Sequence, residues 1–183
     1  RVQRGYDERH AIVGREISTT APSTGVMLSS SAGSHLAVLG AGSPQRSRRT
    51  GIQSDPTGPK DPPNLALGVL EAAAVSIAVQ HPRCDAEFIF ADALDRSSRD
   101  AANLEGVVAL LEHLGQSVLV VRNEDIAEYF LGLEQSIPQR TGTDPALYVV
   151  GLGLDRANLM QQSGFAKPVD GLRLLLRSGP TTN

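Results

Sequence analysis

Tryptophan is absent from this 183-residue chain, aromatic residues make up only 4% of it, and cysteine occurs once, as Cys84. A single thiol excludes an internal disulfide and any metal site built from cysteines, and it permits a reducing compartment. The four histidines, His10, His35, His81 and His113, show no ligand spacing, so no metal site is implied. So few aromatics leave no platform on which bases could stack. No apolar run approaches the length that spans a bilayer, and no charged-then-apolar signal opens the chain. The net charge of −3 argues neither for wholesale nucleic-acid binding nor for a membrane surface. Serines are plentiful, but no G-x-S-x-G elbow occurs, which removes support for serine hydrolase chemistry. The chain opens on Arg1 and closes on Gly179-Pro180-Thr181-Thr182-Asn183, and it reads as a piece of a longer polypeptide.

What is present is alanine, leucine and valine. The hydrophobic fraction is 40%, which suits helices packed on a sheet better than a β-sandwich. The pattern centres on His35-Leu36-Ala37-Val38-Leu39-Gly40-Ala41-Gly42-Ser43, a short apolar run that stops at a glycine-rich turn. In a nucleotide-binding α/β fold, a first core strand ends in this way where a phosphate loop begins.

Residues 1–34 read as a lead-in with two short strands, near 11–18 and 25–29, and the opening strand follows at 36–39. Residues 42–63 hold five prolines and the basic cluster Arg46, Arg48, Arg49, and are expected to form an exposed insertion. Asn64 is placed to cap a helix over 65–80, whose run LALGVLEAAAVSIAVQ is, apart from Glu71, Ser76 and Gln80, apolar on every side and predicts burial between layers. Residues 86–94 predict a buried strand closing on Asp92, 95–103 a charged loop, and 104–114 a helix stopped by Gly115. A strand over 118–121 comes next, then a helix over 123–137 with Asn123 as an Asx cap and Glu124 and Asp125 at its positive end. A strand at 147–152 and a helix at 169–177 complete the chain. Continuous apolar strands alternating with helices predict an α/β three-layer fold around a mainly parallel sheet.

The loop's chemistry is incomplete. Gly40-Ala41-Gly42-Ser43-Pro44-Gln45 has Gln where a dinucleotide fingerprint needs its third glycine, and Pro44 sits where the helix should already run. A tight turn that needs glycine explains the pair better. Nothing matches G-x-x-x-x-G-K-[ST], and the nearest lysine is Lys60, among prolines. Without that lysine the β/γ-phosphates lose their main point charge, and without the hydroxyl Mg²⁺ loses a ligand. Backbone N–H groups alone would give weak nucleotide binding. Asp92 reads equally as a ligand-edge carboxylate and as a solvated acid beside Asp95 and Asp100. Arg46, Arg48 and Arg49 suit phosphate contacts, although such runs are more often a solvated loop.

In order, these segments resemble the RecA-like motor domains of the FtsK/SpoIIIE class, from about Ala11 to the C-terminus. The strand and loop 36–42, the apolar helix 65–80 and the strand Phe88-Ile89-Phe90-Ala91-Asp92 follow that pattern, as do 117–122 and 123–140. Leu147-Tyr148-Val149-Val150-Gly151-Leu152-Gly153-Leu154-Asp155 is similar to the Walker B strand, and 172–180 to the helix beyond it. The resemblance is nearest to a late, degenerate repeat in the large bacterial members, carried by Ile12-Val13-Gly14-Arg15-Glu16-Ile17, His35-Leu36-Ala37-Val38-Leu39-Gly40, Ala78-Val79-Gln80-His81-Pro82 and Leu174-Leu175-Leu176-Arg177-Ser178-Gly179-Pro180. It implies a three-layer RecA-like P-loop NTPase fold over 35–183, truncated at its last strands. Its degenerate nucleotide site would be Gly40, Ala41, Gly42, Ser43, Asp92 and Asp155, with Arg46, Arg48 and Arg49 toward DNA and no catalytic residue. Leu154 stands where the first Walker B acid belongs, which leaves Asp155 as the sole acid. One acid and no P-loop lysine make a poor ATPase. The implied parent is an ATP- and Mg²⁺-dependent DNA translocase, cytoplasmic or membrane-associated through other domains. The implied partners are its other motor domains, double-stranded DNA and further copies in an oligomer. The rival expectations are a hydrolysing domain completed by a neighbouring subunit, and a type VII secretion-like repeat that binds a protein client.

Overall fold

The computed structural model describes residues 9–15, 23–28, 35–36, 38, 65–95, 99–141, 143–154, 157 and 168–178. Its centre is the strand Ala86–Asp92, buried along its whole length except at Glu87. Two strands run parallel to it, Ser117–Arg122 on one side and Ala146–Leu152 on the other. In chain order, β1 is Arg9–Arg15, β2 Ser23–Leu28, α1 Leu65–Ala78, β3 Ala86–Asp92 and α2 Arg99–His113. β4 is then Ser117–Arg122, α3 Asn123–Ser136, β5 Ala146–Leu152 and α4 Pro168–Ser178, with a 3₁₀ turn at Ile137–Gln139.

The sheet order β4-β3-β5 fixes the layering. The chain steps outward from β3 to β4 through α2, then crosses back over β3 to β5 through α3. Crossovers of one hand in opposite directions put their helices on opposite faces. One face presents Phe88, Phe90, Val118, Val120, Tyr148 and Val150 to a core shared with α1 and α2. The other presents Ile89, Ala91, Val121, Leu147 and Val149 to α3 and α4. With both faces covered, β3 can be apolar from Phe88 to Ala91, which is how the α/β pattern was legible.

β1 and β2 form a separate antiparallel pair. Both begin two residues earlier than expected. Among the described residues no other strand meets the free edge of β1. Ser76 and Gln80 of the α1 region take it instead: Ser76 Oγ accepts from Ile12 N at 2.8 Å, Gln80 Oε1 from His10 N at 3.0 Å, and Gln80 Nε2 donates to His10 O at 2.8 Å.

Several expectations are corrected. α1 is not buried all round: Leu65 is 78% exposed, and Gly68 and Ala72 also face solvent. Its core stripe is Leu67, Ala73, Ala74, Ile77 and Ala78, so the small alanines on the open side cost little to hydrate. The stretch 99–103, expected as loop, belongs to α2; its charges lie at the helix start, where Asp100 suits the dipole. Asn123 is not a cap, because β4 runs directly into α3 and Arg122 takes that position without a side-chain bond. Leu36 packs on the α1 core, but neither it nor Val38 lies in a strand, since no ladder partner meets them among the described residues. His35 Nε2 instead meets Leu176 O at 2.8 Å, close to the end of α4. Asn64 lies outside the described residues.

Gly115 ends α2 as expected. Its φ is 84°, its N–H bonds Glu112 O at 2.9 Å, and the next N–H, of Gln116, bonds Leu111 O at 3.1 Å. That paired closure is the Schellman motif, which needs a residue content in the left-handed region.

Candidate functional site

Ligands of open parallel sheets bind outside the carboxyl ends of the strands. Two charged residues stand there in register, because Asp92 ends β3 and Arg122, its ladder partner, ends β4. Each follows an apolar run, so the hydrophobic strand carries its polar terminus to the sheet edge. Asp92 is 4% exposed, and its Oδ1 accepts the Leu94 N–H at 3.0 Å. This local bond orients the carboxylate and turns the chain out of the sheet. Ala93 N–H then reaches across to Leu152 O at 3.0 Å, holding the end of β5 beside it.

Asp92 and Arg122 line a cleft of about 170 Å³ between α2 and β4. Its floor is Leu104, Val108 and Val120, and Glu105 and Glu112 stand on the α2 side. The cleft thus combines an apolar base with one guanidinium and three carboxylates. That is enough to hold a small polar group or a charged side chain, and it offers no nucleophile with an adjacent base. Among the described residues no group of three or more His, Cys, Asp or Glu could hold a metal ion.

Of the residues singled out from sequence, the structure places Asp92 alone. Gly40, Ala41, Gly42, Ser43, Arg46, Arg48, Arg49 and Asp155 lie outside the described residues. Sequence reading missed Arg122, Glu105 and Glu112. The signal for Arg122 was present: VLVV-Arg repeats the form of FIFA-Asp one strand later, and parallel pairing sets the two ends side by side.

Another acid near this region is Glu71, on α1. Its Oε1 is buried without a hydrogen-bond partner, and burial, with the charge of Asp100, raises its pKa above the usual carboxylate value. It is the one acid in α1, whose only other polar side chain is Ser76, and a perturbed carboxyl of this kind is a recognised mark of functional regions.

The opposite, amino end of the sheet holds a different polar centre. The His81 side chain, 4% exposed, has Nδ1 3.4 Å from Asp85 Oδ2 and Nε2 2.8 Å from the Tyr148 hydroxyl. Burial holds His81 below its ordinary pKa, opposed by the Asp85 hydrogen bond, and pushes the Tyr148 phenol up to about 12. The order Asp–His–Tyr resembles a relay, yet a phenol held near 12 stays protonated and is a poor nucleophile at neutral pH. Beside it, buried Gln116 accepts from Ala86 N at 3.2 Å and directs its amide at the carbonyls of Ala78, His81 and Pro82. This end of the sheet is a clasp for the α1–β3 turn.

No family model, curated protein or solved structure matches the chain.

Proposed function

We propose that this chain is a non-hydrolysing RecA-like domain within an ATP-driven DNA-translocating protein of the FtsK/SpoIIIE type, serving assembly, regulation or DNA contact. The observation that carries the reading is the placement of Asp92: a buried acid closing the central strand of a parallel sheet, on the carboxyl edge, directly after the apolar helix α1. The order of helices and strands after residue 65 follows the same pattern as the sequence resemblance. The want of a G-x-x-x-x-G-K-[ST] sequence argues for a copy without turnover.

Calorimetry with ATP·Mg²⁺ tests it. Weak or no binding and no phosphate release are expected; sub-micromolar affinity with turnover would give the domain to a hydrolysing class instead. For DNA contact, duplex DNA should bind in a salt-dependent manner, and changing Arg46, Arg48 and Arg49 together to Ala should remove the binding and flatten the salt slope. Binding to a protein client with no response to DNA would favour a secretion-type repeat.

A further inference from the structure

The outer edge of β4 is unusual for a strand that ends a sheet. Ser117-Val118-Leu119-Val120-Val121-Arg122 contains no proline and no lysine, and its one charge comes last. Edge strands are ordinarily blunted by such residues, by bulges or by a covering segment, because their unpaired N–H and C=O groups template another strand. Here β4 pairs regularly with β3 along its whole length, and among the described residues nothing pairs with its other side. Leu119 is 46% exposed on that edge strand.

The flank beside the edge carries Arg122 with the carboxylates of Asp92, Glu105 and Glu112, and two of these, Arg122 and Glu112, can complement each other between copies. Arg122 stands at the carboxyl end of β4, and no ion pair engages it among the described residues. α2 runs antiparallel to β4, so its Glu112, three residues before Gly115, lies toward the Ser117 end of the same cleft. Arg122, on β4, and Glu112, on α2, therefore lie toward opposite ends of β4. A two-fold axis through the centre of that strand interchanges those ends.

We infer that β4 is a homodimerisation edge, pairing antiparallel with β4 of a second copy about Val120 so that Arg122 of each copy meets Glu112 of the other. Centred there, Val118 faces Arg122 of the other copy and Leu119 faces its Val121, and every facing pair lies on a common side of the sheet, as antiparallel pairing requires. The two three-stranded sheets become one of six. Leu119 gains apolar neighbours, and the stem of the incoming Arg122 covers the cleft floor at Val120 while its head stays at the polar rim. The contact is isologous and therefore closes on itself. It does not depend on the nucleotide-fold reading.

Sedimentation of the intact chain over a concentration series tests the inference, with mass expected to rise from monomer to dimer. Arg122→Glu and Glu112→Arg should each weaken association about tenfold, and the double charge reversal should restore it. Leu119→Lys, at an exposed position, should also favour monomer. Far-UV circular dichroism confirms that each variant folds, and hydrogen exchange should show β4 amides slowed in the dimer alone. A wild-type chain that stays monomeric through about 100 µM overturns the proposal. So does a dimer indifferent to all these variants, or slowing of β4 exchange in a monomer on adding an extended foreign peptide.

Discussion

At the residue scale, the most informative group is His81. Its folded-state pKa lies below the ordinary imidazole value of about 6.5, because burial, aided by the charge of Arg9, outweighs the favourable Asp85 contacts. The unfolded chain therefore takes up a proton more readily than the folded one. The stability from this site is complete above about pH 6.5 and is lost as pH falls through the lower, folded value. Urea unfolding followed between neutral and mildly acid pH should show that decline, and His81→Phe should flatten it. Glu71 carries the opposite sign, since its raised pKa favours the folded state as it protonates. The His81 comparison must therefore be made against wild type at each pH. Gln116 supplies a second prediction. Its amide serves three carbonyls and one N–H in a buried turn, so Gln116→Ala orphans several groups at once and should cost about 2–3 kcal/mol in thermal or urea denaturation.

At the element scale, α3 and α4 depend on Gly171. A Cβ at that position would overlap the Phe130 carbonyl, so the two helices meet backbone to backbone there. Gly171→Ala should force α4 outward and cost about 2–3 kcal/mol, read by denaturation, with loss of protection in the second core around Phe130 and Ile126. Strands β3, β4 and β5 were legible because each is a continuous apolar run bounded by charge or glycine, and α2 could be ended at Gly115 from that residue alone. The start of α2 was not legible: Arg99, Asp100 and their neighbours look like loop in the sequence, and the helix begins at Arg99 with no apolar residue larger than alanine before Leu104 to mark it. Asn123 misled for a related reason. Its cap propensity is real, but β4 reaches the helix with no residue to spare. Gly171 gave no warning either, as a close approach between helices leaves no periodic trace in one sequence.

At the scale of the whole molecule, the sequence displayed the α/β class and one end of the candidate site. It could not display the cleft, because Arg122, Glu105 and Glu112 come from separate elements that meet only when α2 lies along β4. The layering also leaves the molecule unevenly secured. The parallel sheet is gripped on both faces, whereas β1 and β2 hang from α1 through Ser76, Gln80 and the burial of Ala11. Those hydrogen bonds are solvent-exposed, while Ala11 and Leu28 join the core on the α1 side of the sheet. Because its polar ties are open to water, the hairpin is expected to open at a lower cost than the whole fold. Native-state hydrogen exchange should find the β1 and β2 amides opening at a free energy below that of β3. Paired Ser76→Ala and Gln80→Ala changes should lower that sub-global value by about 1–2 kcal/mol and leave β3 protection nearly unchanged. Equal loss at both would instead make hairpin and sheet one unit. A pull on β1 would therefore be met first by the hydrogen bonds of Ser76 and Gln80 and by buried Ala11, which makes the hairpin a mechanical fuse ahead of the sheet.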